Sequence, residues 1–179
     1  MTQMFDFAKH GCPSRQGSVR MQAALCSVRG RTFSPCCFAL RQRYVYEYNS
    51  GLQAQGVVHS SATWAISEPG SGAVLLDPNS LSADGTVSLA TRSFSRCGTL
   101  CAYGLSASGS DWVTGRVLRV APADGAVTHL PDVVERAKFT SFAWTADGAG
   151  FFYARYPDDV AGAASVRAPY WLSRPACAC

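Results

Sequence analysis

From Arg43 onward, apolar and polar residues alternate in short runs that turn residues punctuate roughly every ten positions. Tyr44-Val45-Tyr46-Glu47-Tyr48 is a β-rich aromatic run, closed by the turn sequence Asn49-Ser50-Gly51. Val57-Val58-His59 resumes as a short strand. Ala73 to Leu76 has the apolar texture of a buried strand and ends at Asp77-Pro78-Asn79. Ser82-Ala83-Asp84-Gly85 then turns the chain into Thr86 to Leu89. Further on, Trp112 to Val120 predicts a strand interrupted at Gly115, followed by a turn at Ala123-Asp124-Gly125. Val133 to Lys138 is polar and fits either a strand or one helical turn. Strands at this spacing, joined by Asp-Gly turns, predict an all-β meander.

One strand-turn-strand pattern occurs twice, 50 positions apart. Phe94-Ser95-Arg96-Cys97-Gly98-Thr99-Leu100-Cys101-Ala102-Tyr103 aligns with Trp144-Thr145-Ala146-Asp147-Gly148-Ala149-Gly150-Phe151-Phe152-Tyr153. Aromatic opener, turn glycine and closing tyrosine recur at the same offset. Gly98 and Gly148 stand where a tight turn needs positive φ, which a residue lacking Cβ adopts at little cost. Several short strands per repeat of this length are the signature of propeller blades.

The flanks have a different texture. Pro13 to Gln42 keeps neither a period of 2 nor one of 3.6, and Gly17, Gly30, Pro35 and Cys36-Cys37 break any longer element. Charge separates this region further. Between Ala8 and Tyr46 stand seven basic residues and no acid, whereas the rest of the chain carries nine basic and twelve acidic residues. The arginines are scattered singly among Ser, Gly, Pro and Cys, so they read as a disordered basic insert rather than a nucleic-acid or membrane-binding surface. The tail from Ala161 to Cys179 is Ala-rich, ends in Cys-Ala-Cys and shows no strand pattern. No window approaches the roughly 20 apolar residues that span a bilayer. Met1 to His10 has no basic start ahead of an apolar stretch, so no secretory signal is expected. The eight cysteines are then expected as reduced thiols in a cytoplasmic setting rather than as a disulfide framework.

The longer motifs carry a resemblance. Leu75-Leu76-Asp77-Pro78-Asn79-Ser80-Leu81-Ser82-Ala83-Asp84-Gly85-Thr86 and Ala102-Tyr103-Gly104-Leu105-Ser106-Ala107-Ser108-Gly109-Ser110-Asp111-Trp112-Val113 resemble the prolyl oligopeptidase family. So do Tyr48-Asn49-Ser50-Gly51-Leu52-Gln53, Leu130-Pro131-Asp132-Val133-Val134-Glu135-Arg136, Ala143-Trp144-Thr145-Ala146-Asp147-Gly148 and Phe152-Tyr153. The likeness covers about residues 43–158, with a fainter match from Met1 to Cys12. It implies a seven-bladed β-propeller of which this chain holds about two blades, each a four-stranded antiparallel meander. In the family the propeller caps a separate α/β-hydrolase domain that carries a Ser-Asp-His triad and cleaves short peptides after proline. The expected organisation is a propeller-entry segment over 1–12, a disordered insert over 13–42, the partial propeller over 43–158 and an irregular tail over 159–179. Some 25 extra residues intervene between the Cys12 position and the first aromatic strand, and the tail matches nothing in the family.

Candidate chemistry is sparse. Gly104-Leu105-Ser106-Ala107-Ser108 approaches the nucleophile elbow G-x-S-x-G but has serine at its fifth position and lies in a β-turn-β context, not strand-turn-helix. The histidines His10, His59 and His129 match no catalytic position of the family, so no catalytic residue is assigned. Cys97 and Cys101 are spaced within the range of a zinc knuckle but straddle the repeat turn. Strand alternation makes Cys101 a small core hydrophobe, with an oxidised hairpin disulfide left open. No phosphate-cradling glycine motif occurs, and no metal or cofactor is expected. By the resemblance, Phe139 in Ala137-Lys138-Phe139 matches a propeller aromatic that reaches the family's proline-binding cavity, where it supplies apolar contact to substrate.

Two functional readings follow. The first is the propeller portion of a prolyl oligopeptidase-type serine peptidase, inactive alone because no triad is present, with proline-containing oligopeptides as partners only in a full-length enzyme. The second is a non-enzymatic β-sheet module that pairs edges with itself or another propeller, or a poorly folded splice product. Neither nucleic acid nor membrane is an expected partner. Blades bury their cores against neighbours, and about three repeats are usually needed for stability. The 179-residue chain is therefore expected to be marginally stable, so a scanning calorimetry trace should show a broad, low-enthalpy transition; a sharp cooperative one would contradict this.

Overall fold

Successive side chains of a strand leave on opposite faces, so a strand that is apolar at consecutive positions must be covered on both sides. Leu100, Cys101, Ala102 and Tyr103 form such a run and all are buried. The computed structural model describes residues 27–28, 31–32, 38–40, 43–63, 68, 70–156 and 168–173. In it this run belongs to the central meander of an all-β partial propeller.

The first blade is β3 (Phe38–Leu40), β4 (Arg43–Tyr48), β5 (Val57–Ser61) and β6 (Ala73–Leu76), antiparallel and in chain order. Ahead of it, β1 (Ser27–Val28) and β2 (Arg31–Thr32) pair with each other. A 3-10 turn at Pro78–Ser80, capped by the Asp77 carboxylate accepting from the Asn79 N–H, leads to the second blade. That blade is β7 (Val87–Phe94), β8 (Leu100–Ala107), β9 (Trp112–Val120) and β10 (Val127–Lys138). A third begins with β11 (Ala143–Trp144), β12 (Gly150–Arg155) and β13 (Ala168–Ser173). It joins the second through one register pair, Ala137 opposite Arg155.

Both faces of the second blade are packed. Toward the first blade, Cys101, Tyr103, Leu118 and Val120 meet Val45, Val58, Leu75 and Leu76. Toward the third, Ala102, Val113, Val117, Val134 and Ala137 meet Phe142 and Phe151. Gly104 and Gly115 lie opposite each other in the β8–β9 register. A Cβ on Gly115 would come within 2.9 Å of the Phe142 ring, so the paired glycines leave the gap that this ring fills. Polar links fasten the blades together. Arg92 pairs with Glu47 at 2.8 Å, and the Trp144 indole N–H donates to the Ser93 carbonyl at 2.9 Å.

The sequence repeat is a structural repeat. Ser95 N–H donates to Leu100 O at 2.9 Å and Gly98 N–H to Ser95 O at 2.9 Å. In the second copy Thr145 N–H donates to Gly150 O at 3.0 Å and Gly148 N–H to Thr145 O at 3.1 Å. Gly98 and Gly148 have φ of +76° and +68°. The Ser95 and Thr145 hydroxyls each donate to the same carbonyl as their own N–H, closing the turn a second time.

Three expectations change in detail. β9 runs unbroken through Gly115, because the glycine is seated against Phe142 rather than used as a kink. The polar stretch Val133 to Lys138 is strand, the end of a β10 that slips register twice. Pro131 falls within the first slip, where the ladder needs no N–H. Pairing also runs past residues 43 and 158. β1, β2 and β3 lie in the region read as a disordered insert, and β13 lies in the tail read as strandless. β13 pairs with β12 at six consecutive positions, since β12 otherwise presents an open edge whose N–H and C=O groups attract a strand. The remainder of 1–12, 13–42 and 159–179 lies outside the described residues.

Adjacent residues of β12 should respond oppositely to truncation. Phe151 is 1% exposed and Phe152 is 52% exposed. Phe151→Ala is expected to cost about 3–5 kcal/mol and abolish amide exchange protection in β8 and β9, whereas Phe152→Ala should leave it nearly unchanged.

Candidate functional site

The end of the second blade carries an exposed aromatic cluster built by irregular backbone. Between Val134, opposite Gly115, and Ala137, opposite Val113, β10 holds one residue more than β9. Arg136 in that bulge has φ of +55°, and Phe139 just past the strand has φ of +48°. A side chain in the left-handed region costs about 1–2 kcal/mol, so surrounding structure must hold both residues there. Phe139 stands 67% exposed. Lys138 Nζ lies 5.1 Å from its ring centroid and 5.5 Å from that of Trp112, which is itself 49% exposed. Asp111 Oδ2 takes the same ammonium at 3.2 Å. Tyr156 meets Trp112 edge-on at 5.3 Å.

This arrangement offers aromatic faces and one cation, suited to apolar and cation–π contact with a ligand. Of these residues the sequence names Phe139 as a substrate-contact candidate and does not single out Trp112, Lys138 or Tyr156. β9, β10 and the end of β12 bring these together, and no local spacing links them.

The elbow-like serine is occupied elsewhere. Ser106 lies within β8, is buried, and donates its hydroxyl to the Ser110 carbonyl across its own hairpin. His59 Nδ1 is 3.1 Å from Gly72 O, and its ring stacks on Tyr46. His129 Nδ1 is 3.1 Å from the Tyr103 hydroxyl. Neither imidazole pairs with Ser106. Among the described residues no cluster of three His, Cys, Asp or Glu is placed to hold a metal.

Comparison with known proteins decides the family. A model of the prolyl oligopeptidase N-terminal β-propeller domain matches residues 30–168, more than half of the chain. This chain belongs to the prolyl oligopeptidase family. Prolyl oligopeptidase A of Galerina marginata is 42% identical over 131 residues, covering 65% of this chain and 17% of the relative. A prolyl endopeptidase of Elizabethkingia miricola is 41% identical over 115 residues, covering 64% and 15%. Among solved structures, Galerina marginata prolyl oligopeptidase B, bound to a 35mer hydrolysis and macrocyclization substrate, superposes with a TM-score of 0.61 at 28% identity. That alignment covers 76% of this chain and 21% of the other. The chain thus spans about one sixth of the length of the curated relatives it matches and corresponds to their propeller; the described residues form no α/β-hydrolase fold.

Neither hairpin cysteine of this propeller, Cys97 or Cys101, is in a disulfide. Cys97 sits half-buried in the repeat turn, 3.0 Å from the Thr99 hydroxyl. Cys101 packs in the core between the first two blades, and burial pushes its thiol up from 9.0 to about 12. The neutral thiol is thus the folded form, so its contribution to stability is complete below pH 9 and is lost as pH rises toward 12. Alkylation by iodoacetamide at pH 8 should label Cys97 and spare Cys101, and Cys101→Ala should flatten the fall of stability above pH 9. Labelling of Cys101 at the rate of Cys97 would show that the blade interface is open.

Proposed function

We propose that the chain forms the entry blades of the propeller of a prolyl oligopeptidase-type serine peptidase, where it limits the enzyme to short proline-containing peptides. The family match over residues 30–168 carries this reading. Phe139 contributes an apolar wall to the proline-binding cavity, and its exposed, strained placement beside Trp112 favours that role over a packing one. Chemistry belongs to a hydrolase domain with its own triad, so these residues by themselves are inactive. We place it in the cytoplasm, a setting that suits the buried, reduced Cys101 thiol.

A second reading, edge or face pairing with another propeller or a second copy, is favoured by Val74, Val133 and Phe152, which stand about half exposed on outward positions of the three blades.

The test is hydrolysis of a fluorogenic Gly-Pro substrate by the purified chain beside a full-length prolyl oligopeptidase. No turnover by the chain is expected, and activity should appear when residues 43–156 replace the matching part of Galerina marginata prolyl oligopeptidase A. In that chimera Phe139→Ala should raise KM roughly tenfold, as expected for losing about half the burial of a phenyl ring. Turnover that co-purifies with the isolated chain would overturn the proposal.

A further inference from the structure

The strands of the first blade are three to six residues long, and those of the second are eight to twelve. One end of the second blade therefore extends past its neighbour, on the face that the first blade would otherwise cover. A cavity of about 670 Å³ opens there. Its walls are apolar where Val87, Leu105 and Trp112 line it, and polar where Tyr103, Arg116 and His129 do.

Register explains why these three polar groups converge. Tyr103 on β8 lies opposite Arg116 on β9, and His129 on β10 lies opposite Leu118, two residues along the same face of β9. Tyr103 Oη is 3.1 Å from His129 Nδ1, and the two rings meet edge-on at 6.2 Å. Arg116 supplies a permanent positive charge, and the lining contains no Asp or Glu to neutralise it. Tyr103 closes the first repeat copy, but the repeat leaves Arg116 and His129 unused, and the proposed peptidase role uses none of the three.

We propose that the cavity binds a small hydrophobic carboxylate, its anionic group on Arg116 and the Tyr103–His129 pair and its aromatic or branched group against Val87, Leu105 and Trp112. The volume falls within the few hundred to about 1,000 Å³ of small-molecule sites. An Arg fork matches a carboxylate in two parallel hydrogen bonds, and the tyrosine–histidine pair adds donors at the same end. Burial keeps Tyr103 protonated well above neutral pH, so its hydroxyl retains a proton to donate. Phosphorylated ligands fit less well, since the lining offers a single fixed cation and no helix N-terminus.

Isothermal titration of the full 179-residue chain with 3-phenylpropionate and with its uncharged amide tests this without reference to hydrolysis. The acid should bind at least about tenfold tighter than the amide, the usual worth of a charge-assisted hydrogen bond. Arg116→Gln should erase that preference, Arg116→Lys should keep part of it, and His129→Gln should weaken the acid alone. Absence of binding by either probe, equal affinity for acid and amide, or an unchanged preference in Arg116→Gln would each overturn the proposal. Should Arg116→Gln lose its β-sheet circular dichroism, the acid–amide comparison on the wild-type chain decides alone.

Discussion

A sheet that carries apolar side chains on both faces needs two covers, and β7–β10 is such a sheet. Its Cys101, Tyr103 and Leu118 face can be dry only against the first blade, and its Val113, Val117 and Val134 face only against Phe142 and Phe151. Each buried side chain of this size is worth roughly 1.5–3 kcal/mol, while a meander alone would leave half of them in water. Blade-to-blade packing therefore does what no single blade does for itself. The polar links across the interfaces follow from that contact. Arg92–Glu47 and the Trp144 indole on Ser93 O form only because the sheets are already stacked, and they set the angle and register of stacking rather than drive it.

The same packing shapes the aromatic cluster. Gly104 and Gly115 give up their side chains so that the Phe142 ring can sit on the sheet, which brings the segment after β10 close against β9. β10 reaches that position with an extra residue and two left-handed side-chain-bearing residues, Arg136 and Phe139. Core packing thus holds the strain, and the strain accompanies an aromatic ring left in solvent. A propeller built this way separates its tasks: faces between blades supply stability, and strand ends with their turns supply the groups open to a ligand.

Strand ends also explain the cavity. Blades of equal strand length would cover each other fully. Here the longer strands of the second blade carry Tyr103, Arg116 and His129 to the wall of an open cavity. Tyr103 shows how one residue can belong to both worlds, with its ring in the core and its hydroxyl on His129 at the cavity wall.

Much of this was legible along the chain. Alternation, Asp-Gly turns and the 50-residue repeat sufficed for an all-β meander and for the paired turns at Gly98 and Gly148, because those signals are local: φ preference and period 2 act within a few residues. Phe139 came from the family's motif, not from its neighbours in sequence. β13 stayed hidden, since its strand propensity is realised only on the open edge of β12. Gly115 read as a break because nothing nearby announces that a ring 27 residues later will fill its place. Trp112 beside Lys138 and Tyr156, and Tyr103 beside Arg116 and His129, are likewise products of register between strands. Sequence by itself determined most of the strands and turns, because that choice is largely a short-range matter of sterics and alternation. Tertiary structure decided which side chains meet, since register and blade stacking couple residues that no local rule can see.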